Sequence, residues 1–379
     1  MSVRASVILN NYNYARYLPE AVESALAQTY PHTEVVVVDD GSTDNSRALL
    51  AGYGDRIRLV LQENGGQASA FNAGFAASRG EVVLFLDADD RLLPTAVETA
   101  VRHLEDPGVV KVHWPLRTID AEGHSLGGLY PGGALPDGNW REVVLQNGPS
   151  SCTSPPTSGN AWSRRFLEQV LPMPEEEFRL NADAYLFGIA PAFGPLRRVR
   201  EPLGCYRIHG RNHYLSASFS ERIRAGMASH DAQCRALESF CQATGIRVEA
   251  PAWRAHSWFH QLQGAVELIE AQVGTDEGFI LVDEDQWGTE PIVAGRRRFP
   301  FVEREGHYWG APADDSTAVA EVERLRNAGA AWMVFAEHTF WWLEHFAGLR
   351  RHLHSRYRCA LASDHLLLFD LRAGSEASV

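Results

Sequence analysis

Short apolar runs alternate with amphipathic segments throughout the first hundred residues. The four runs that are predicted as strands are ASVILN, EVVVVDD, RIRLVLQ and EVVLFLD. Each run is followed by residues with helical spacing. Strands separated by helices form βαβ units, and such units build a mostly parallel sheet that helices cover on both faces. The sequence therefore predicts an α/β fold for this part of the chain.

Polar side chains stand where three of these strands end. Asn10 closes the first run, Asp39 and Asp40 close the second, and Asp87 closes the fourth. Ligands of open parallel sheets bind at the carboxyl ends of the strands, so we expect these side chains to meet around a ligand. The segment VVVVDDGSTDNS also suits a tight turn and a helix cap, which leaves a structural alternative for Asp39 and Asp40.

The stretch EVVLFLDADDRLLP places three carboxylates directly after a fully apolar strand. Burying an unpaired charge is costly, so these acids need a partner. Asp87 and Asp89, two residues apart, can face one oxygen-preferring cation such as Mg2+ or Mn2+. An isolated D-x-D pair recurs by chance, but its position after a buried strand favours a metal site. We expect Asp90, with Arg91 and Pro94, to serve the turn into the next helix.

Two later segments carry further candidates. Asp183, in RLNADAYLF, either caps a helix or acts as a general base, a role that requires a suitable pKa and a nearby hydroxyl. The segment CYRIHGRNHY forms either a solvated loop or a cluster that meets phosphates. Its basic and polar residues are Arg207, His209, Arg211, Asn212 and His213.

Three long segments together resemble the family 2 glycosyltransferases of GT-A fold. These segments are SVILNNYNYARYLPEAVESALAQTYPHTEVVVVDDGSTDNS, NGGQASAFNAGFAASRGEVVLFLDADD and YRIHGRN, and the resemblance covers roughly the first 213 residues. It implies a Rossmann-like, nucleotide-sugar-binding sheet and an inverting transfer of a sugar from a nucleotide-diphosphate donor (a UDP- or other NDP-sugar) to an acceptor hydroxyl. It leaves the acceptor open among a sugar, a lipid-linked molecule and a protein.

The resemblance implies donor-binding roles for five residues. Asn10, Tyr12 and Asp40 match the positions that hold the nucleoside, with Asp40 at the base. Asn72, in FNAG, lies in the helix that lines the family's donor pocket. Asp87 matches the first acid of the D-x-D pair, near the ribose and the metal.

The resemblance also implies a metal site and a catalytic base. Asp89 matches the direct ligand of Mn2+ or Mg2+, Asp87 belongs to the shell of that metal, and His209 matches a histidine that closes the metal-diphosphate site. Asp183 matches the catalytic base. The family's usual Glu-Asp pair reads Ala182-Asp183 here, which is a departure from the pattern at the base.

The same resemblance constrains the kind of enzyme. The Q-x-x-R-W motif of processive synthases is missing from the sequence, which favours a non-processive, single-addition enzyme of bacterial surface polysaccharide or glycoconjugate synthesis. The alternative is a non-catalytic nucleotide-sugar-binding or scaffold protein of a glycan assembly complex. Retention of Asp40, Asp87, Asp89 and Asp183 together disfavours that alternative.

The chain of 379 residues is too long for one ordinary core. We expect a GT-A domain at 1–213, a helical segment at 214–272 and a smaller C-terminal α/β accessory domain at 273–379. Within the last of these, the aromatic residues of 332–346 have the periodicity of an apolar core. The Ser/Thr/Pro-rich loop 147–160 is expected to help select the acceptor.

Charge and composition exclude several classes of protein. A formal net charge of -13 argues against a nucleic-acid binder. The five cysteines are scattered and form no C-x-x-C pair, so neither a disulfide framework nor a zinc site is expected. Without a signal-peptide pattern or an apolar run of bilayer-spanning length, the sequence predicts a cytoplasmic protein. Peripheral association with the inner membrane and assembly into a homo-oligomer are both compatible with it.

Overall fold

The computed structural model describes residues 3–210, 218–288, 292–293 and 295–372. Within these residues the chain forms two compact units, the first made of 3–210 and 227–257 and the second of 218–226 and 258–372. A compact unit is defined by packing and a functional domain by its activity. The functional limits at 1–213, 214–272 and 273–379 therefore stay a prediction.

The first unit begins with the alternation of strands and helices that the sequence predicts. Its strands are β1 (Ala5–Asn11), β2 (Thr33–Asp40), β3 (Arg58–Gln62), β4 (Val82–Asp87), β5 (Arg91–Leu92), β6 (Lys111–His113), β7 (Leu116–Ile119), β8 (Ser125–Tyr130), β9 (Asn160–Ser163), β10 (Leu196–Arg198) and β11 (Gly204–Arg207). Its helices are α1 (Leu18–Leu26), α2 (Ser46–Ala51), α3 (Gln67–Ala77), α4 (Ala96–Leu104), α5 (Arg141–Asn147), α6 (Arg164–Val170) and α7 (Ala182–Phe193). The long helix α8 (Phe219–Ala243) follows.

Seven strands of the first unit form one sheet in the order β10-β6-β9-β4-β1-β2-β3. β1 pairs in parallel with β2 and β4, β2 with β3, and β6 with β10, whereas β9 runs antiparallel to its neighbours β4 and β6. The predicted α/β fold with a mostly parallel sheet is confirmed.

The strand β4 is buried on both faces. Its five apolar residues, 82–86, are each at most 3% exposed. Leu84 and Leu86 pack in one core with side chains of α1 and α4, whereas Val83 and Phe85 pack in another with side chains of α3, α6 and α7. Burial of one such side chain contributes about 1.5–3 kcal/mol. This packing fixes the strand and therefore the position of the acids that follow it.

A second sheet of four strands has the order β5-β11-β7-β8. β7 and β8 form an antiparallel hairpin whose turn is closed by the backbone N–H of Gly123 donating to the carbonyl of Asp120. Gly123 has φ 89°, a left-handed conformation that glycine adopts without strain. The sequence did not predict this hairpin, because every residue of β8 is exposed and no half-buried alternation marks the strand.

The second unit contains a smaller α/β arrangement, as the sequence predicts. Its strands are β12 (Gly278–Val282), β13 (Arg297–Pro300), β14 (Glu303–Arg304), β15 (His307–Tyr308), β16 (Ala330–Ala336), β17 (Arg358–Ala362) and β18 (Leu366–Asp370). Its helices, besides the start of α8, are α9 (Trp258–Gln272), α10 (Asp315–Asn327), α11 (Trp341–His345) and α12 (Ala347–Arg356). Five of the strands form a sheet in the order β13-β12-β16-β18-β17.

The aromatic cluster of this unit is largely the core that its periodicity predicts. Phe335 and Trp342 are fully buried, while Trp341 stays 42% exposed. The segment TFWWLEHFAGLRRHLHSRY (339–357) has a spacing that predicts one continuous helix. This prediction is wrong, because two helices meet at Phe346, whose ψ of 76° is not helical. Phe346 is itself buried in the core, so the chain breaks the helix where this ring packs inward.

Glu323 on α10 should stabilise the second unit in a pH-dependent way. Its carboxylate accepts hydrogen bonds from Arg326, His352 and the Tyr357 hydroxyl, and these partners lower its pKa to about 2 despite partial burial. The folded state therefore holds this proton less tightly than the unfolded state. The stabilisation is complete above the ordinary carboxyl pKa and is lost as the pH falls from there towards 2.

We expect Glu323→Gln to lower the free energy of unfolding by about 1–2 kcal/mol at pH 7, since the carboxylate is only partly shielded from water. Chemical denaturation at pH 7 and pH 3 measures the effect, and the difference from wild type should shrink at pH 3. Glu344, an exposed acid on α11, supplies the matched control Glu344→Gln. A loss that is equal at both pH values would contradict the ionic origin of the effect.

None of the helices in the described part of the chain combines the length and apolarity that a bilayer crossing requires. All five cysteines lie in described residues and are free thiols.

Candidate active site

Parallel pairing brings two of the predicted strand-end residues into direct contact. Asn10 on β1 is the register partner of Asp87 on β4, and the Asn10 amide Nδ2 donates to Asp87 Oδ1 over 3.0 Å. Because only the NH2 group can donate to a carboxylate, this bond fixes the orientation of the amide. The other end of the amide, Asn10 Oδ1, is buried and accepts no hydrogen bond from the described residues. A buried acceptor of this kind is suited to a donor group of a ligand.

Asp40 at the end of β2 binds the loop that precedes α3. Its carboxylate accepts from the backbone N–H groups of Gly65 and Gly66, both at 2.8 Å, and from the amides of Gln62 at 2.7 Å and Asn64 at 3.2 Å. Gly66 has φ 90°, and a Cβ there would lie 2.5 Å from the carbonyl oxygen of Arg179. Four donors use most of the capacity of a carboxylate. The assignment of Asp40 to the nucleobase stays a prediction and requires a base to replace one of them.

Asp39 has the structural role that its motif allows. It accepts from Asn11 Nδ2, from the backbone N–H of Ser42 and from Arg47 Nε, at 2.9, 3.1 and 2.7 Å. These bonds tie the end of β1 to the turn after β2. Tyr12, in the segment that follows β1, remains 46% exposed, so its ring is accessible to a planar ligand.

Asn72 is engaged elsewhere in the first unit. Its amide Nδ2 donates to the carbonyl of Met173 and to Glu175 Oε1, both at 3.0 Å, and its Oδ1 accepts from the Met173 N–H at 2.9 Å. These bonds attach α3 to the segment before α7. The donor-binding role of Asn72 stays a prediction.

Three carboxylates crowd the end of β4. Burial, followed by the negative charge of Asp89, raises the pKa of Asp87 to about 7. Burial and the charges of Asp89 and Asp87 raise the pKa of Asp90 well above its ordinary value. Burial, followed by the charges of the same acids, raises the pKa of the Tyr14 hydroxyl. The site therefore concentrates negative charge that a cation would neutralise.

Asp90 serves the fold at this turn. It accepts from Ser158 Oγ at 2.7 Å and from the backbone N–H of Arg207 at 2.9 Å, and its own N–H bonds to the carbonyl of Asp87. These bonds are consistent with the expected role of Asp90 in the turn.

The YRIH segment holds the D-x-D loop from the second sheet. His209 Nε2 lies 2.9 Å from Asp89 Oδ2, and its ring stacks on Tyr17 with centroids 5.0 Å apart. Arg207 is 1% exposed and donates through Nε to the carbonyl oxygen of Asp89 at 2.8 Å. The remaining candidates of this segment, which are Arg211, Asn212 and His213, lie outside the described residues.

Asp183 lies in the first turn of α7 and belongs to the same electrostatic environment as Asp87. Burial raises the pKa of Asp183, whereas hydrogen bonds from Ala184 and Thr157 and the positive charge of Lys111 lower it in part. The negative charge of Asp183 in turn contributes to the raised pKa of Asp87. The structure thus places the predicted base close to the predicted metal site.

Gln67, which the sequence analysis did not single out, connects these two acids. Its Nε2 donates to Asp87 Oδ1 at 3.2 Å and to Thr157 Oγ1 at 3.3 Å. Its Oε1 accepts from the N–H of Ala182 at 3.0 Å, at the residue before Asp183. The position of Gln67 directly after the Gly65-Gly66 pair was the one signal of its role, and it did not indicate these partners.

The donor set at this site suits a hard divalent cation. Asp89 is 14% exposed at its side chain and therefore accessible, and Asp87 supplies a second carboxylate in the charged cluster. Oxygen-rich sets of this kind favour Mg2+ or Mn2+. Together with a nearby carboxyl of raised pKa, the arrangement can bind a phosphorylated ligand and accept a proton.

The sequence of this chain is similar to those of known glycosyltransferases. The family model described as "Glycosyl transferase family 2" matches residues 6–127. An uncharacterized glycosyltransferase of Nostoc sp. is 42% identical over 220 residues, which are 57% of this chain and 68% of that protein. An uncharacterized glycosyltransferase of Rickettsia typhi is 41% identical over 123 residues, which are 32% of this chain but only 39% of its own length.

Among solved structures, a looser likeness is found to the mannosyltransferase PcManGT of Pyrobaculum calidifontis, in complex with GDP-Man and Mn2+. It is 20% identical with a TM-score of 0.46, over 72% of this chain and 77% of that chain. The sequence relationship to the Nostoc protein and the matching family model are the findings that decide the family. The chain belongs to the family 2 glycosyltransferases.

Proposed function

We propose that this glycosyltransferase moves one sugar from a nucleotide-diphosphate sugar to an acceptor hydroxyl, with inversion at the anomeric carbon and with a divalent metal. The observation that carries the proposal is the bridge through Gln67, which joins Asp87 of the D-x-D pair to Thr157 and to the N-terminus of the helix that carries Asp183. It supports a donor site and a base that act on the same reacting centre.

The donor nucleotide would bind at the carboxyl ends of β1, β2 and β4. The unsatisfied Asn10 Oδ1 can accept from a hydroxyl or N–H group of the nucleoside, and the exposed ring of Tyr12 can stack on it. Asp40 holds the loop 62–66 beside this position. These contacts support a nucleoside at this edge of the sheet.

The metal would be held by Asp89 and Asp87, with His209 orienting Asp89. A bound Mn2+ or Mg2+ supplies charge neutralisation for the departing nucleoside diphosphate. Arg207 contributes by fixing the backbone of the D-x-D loop, since it is buried and bonds to the carbonyl of Asp89. The raised pKa of Asp87 supports this assignment. The buried Asp87 carboxyl lies beside the negative charge of Asp89, so it needs a cation nearby to ionise fully.

Asp183 would act as the general base. Its carboxylate takes the proton of the acceptor hydroxyl while that oxygen bonds to the anomeric carbon and the bond to the diphosphate oxygen breaks on the opposite face. One displacement of this kind inverts the configuration and forms no covalent sugar-enzyme bond. A raised pKa strengthens the carboxylate as a base. The acceptor is proposed to be a sugar, a lipid-linked molecule or a protein of bacterial surface polysaccharide or glycoconjugate synthesis.

A donor screen tests the proposal. The purified protein is incubated with a panel of UDP-, GDP-, CDP- and dTDP-sugars, each with and without Mn2+, and the melting temperature and nucleoside diphosphate release are measured. At least one donor should raise the melting temperature in the presence of Mn2+, by an amount that grows with ligand concentration. The free sugars provide the control. NMR of the product made with the active donor reads the anomeric configuration. No binding by any donor with Mn2+ or Mg2+, or retention of configuration, would contradict the proposal.

A further inference from the structure

The single lysine of the chain is buried in the first unit. Of 35 basic residues Lys111 alone is a lysine, and it is 2% exposed on β6. Its Nζ donates to Ser154 Oγ over 2.6 Å and lies 5.1 Å from the centroid of the Trp162 ring. A buried ammonium group is costly, so its presence at a site that an apolar side chain could fill calls for a function.

Lys111 binds the start of a closed loop. Ser154 Oγ lies within hydrogen-bonding distance of Asn160 Oδ1. The Asn160 amide donates to the carbonyls of Pro155, Pro156 and Thr157, at 3.1, 2.8 and 3.3 Å. The segment 154–160 is therefore fixed by Lys111 at one end and by Asn160 from within.

The other side of this loop carries two residues of the candidate active site. Thr157 Oγ1 accepts from Gln67 at 3.3 Å, and Thr157 lies near enough to both carboxylates to lower the pKa of Asp87 and of Asp183 in part. Ser158 Oγ donates to Asp90 and accepts from the backbone N–H of Asp87. Residues 157–160 are buried. This half of the loop therefore supports the buried side of the acid cluster. The role of the loop 147–160 in selecting the acceptor stays a prediction.

We propose that Lys111 is a positioning residue for sugar transfer: by holding Ser154 it fixes the loop 154–160, which places Thr157 against Gln67, the side chain that joins Asp87 to the start of the helix that carries Asp183. The inference rests on the proposed function, in which Asp183 is the base. Misplacement of a reacting group by about 1 Å costs on the order of 100-fold in rate. Lys111 touches no reacting atom and acts through Ser154 and Thr157.

The charge of Lys111 allows a stability measurement to distinguish a positioning role from a purely structural one. Its ammonium group faces the aromatic rings of Trp162 and Phe187 and is near the carboxylate of Asp183, the thiol of Cys152 and the imidazole of His113. Burial lowers the pKa of Lys111 to about 7, while Cys152 and Asp183 oppose this shift. The unfolded state therefore binds this proton more tightly than the folded state, so the lysine destabilises the fold at neutral pH. An apolar replacement should melt at a higher temperature.

Kinetics of Lys111→Met, Ser154→Ala and the double variant test the proposal, with donor affinity measured by calorimetry with Mn2+ and the nucleoside diphosphate. We expect each single variant to lower kcat about 100-fold and to change Kd by less than about threefold. The double variant should be no slower than the slower single variant, because both changes break the same connection.

Lys111→Gln, which can still donate to Ser154, should recover part of the lost kcat. Ser6→Ala, at a buried hydroxyl near the start of β1 that donates to Glu34, is the matched control for Ser154→Ala and should keep wild-type kcat.

Two outcomes would overturn the proposal: wild-type kcat in Lys111→Met, or a lower kcat accompanied by a lower melting temperature and an additive double variant.

Two further measurements do not depend on activity. Hydrogen exchange of 154–160 should be faster in Lys111→Met, and the NMR signal of the sole lysine should titrate near pH 7 and at lower pH in Asp183→Asn. If wild type transfers no sugar while the hydrogen-exchange and NMR measurements both give the expected results, the proposed function fails and the contact of Lys111 with this loop stands. If wild type is active and neither measurement gives its expected result, the positioning role fails.

Discussion

Replacement of Asp183 by Asn should abolish sugar transfer and leave donor binding nearly intact. Asparagine has the same shape and can still accept the hydrogen bond from the N–H of Ala184, which Asp183 accepts at 2.8 Å. It cannot take a proton from an attacking hydroxyl. A positioned general base contributes about 100- to 10,000-fold to the rate, and we expect a loss at the upper end of this range.

Transfer kinetics measure the loss of sugar transfer, and calorimetry with the nucleoside diphosphate and Mn2+ measures the retained donor binding. Glu176→Gln, at an exposed acid in the segment before α7, is the matched control and should keep wild-type kcat. Burial raises the pKa of Asp183, so wild-type kcat should fall on the acid side at a pH above the ordinary carboxyl range. Normal turnover by Asp183→Asn would show that the base is another residue.

The sequence predicted the residues at strand ends more successfully than the contacts between them. A buried strand is marked by its own composition, and parallel pairing then brings the ends of β1 and β4 together. Asn10 and Asp87 therefore meet through a rule that applies to every open parallel sheet. The family resemblance added roles for these positions, and membership of the family is now established by the comparisons.

The supporting network could not be predicted, because its members are far apart in the chain. Gln67 meets Thr157 and Ala182 across 90 and 115 residues. Each of these residues looks like part of an ordinary loop or helix terminus when read alone. Lys111 was visible as the single lysine, but composition could not show that it is buried beside the loop 154–160.

Local sequence patterns did not predict the backbone conformation where tertiary packing determines it. The residues around Phe346 keep helical spacing, yet the chain leaves the helix there so that the ring reaches the core. The competing interaction comes from a part of the chain that a local reading does not include. The contacts of the Asn72 amide with Met173 and Glu175 could not be predicted for the same reason, and the donor-binding role of Asn72 stays a prediction.

Replacement of Asp89 by Ala should remove the metal dependence of donor binding and lower transfer about 100- to 1,000-fold, the usual cost of losing one preorganised group that stabilises developing charge. Asp89 is the partly exposed carboxylate of the cluster, and its partner His209 orients it at 2.9 Å. The variant should not be less stable than wild type. The charge of Asp89 raises the pKa of both Asp87 and Asp90, so its removal relieves repulsion between buried acids.

The measurement compares the melting temperature with nucleoside diphosphate in Mn2+ and in EDTA. Wild type should lose its ligand-induced stabilisation in EDTA, and Asp89→Ala should show the same low value in both conditions. Asp90→Asn is the matched control from the same cluster, because Asp90 bonds to Ser158 and the backbone of Arg207 and its raised pKa favours the neutral form that asparagine mimics. It should retain the response to Mn2+. If Asp89→Ala keeps that response while Asp90→Asn loses it, the cation is bound by Asp90. The proposed roles, Asp89 as metal ligand and Asp90 as turn residue, must then be exchanged.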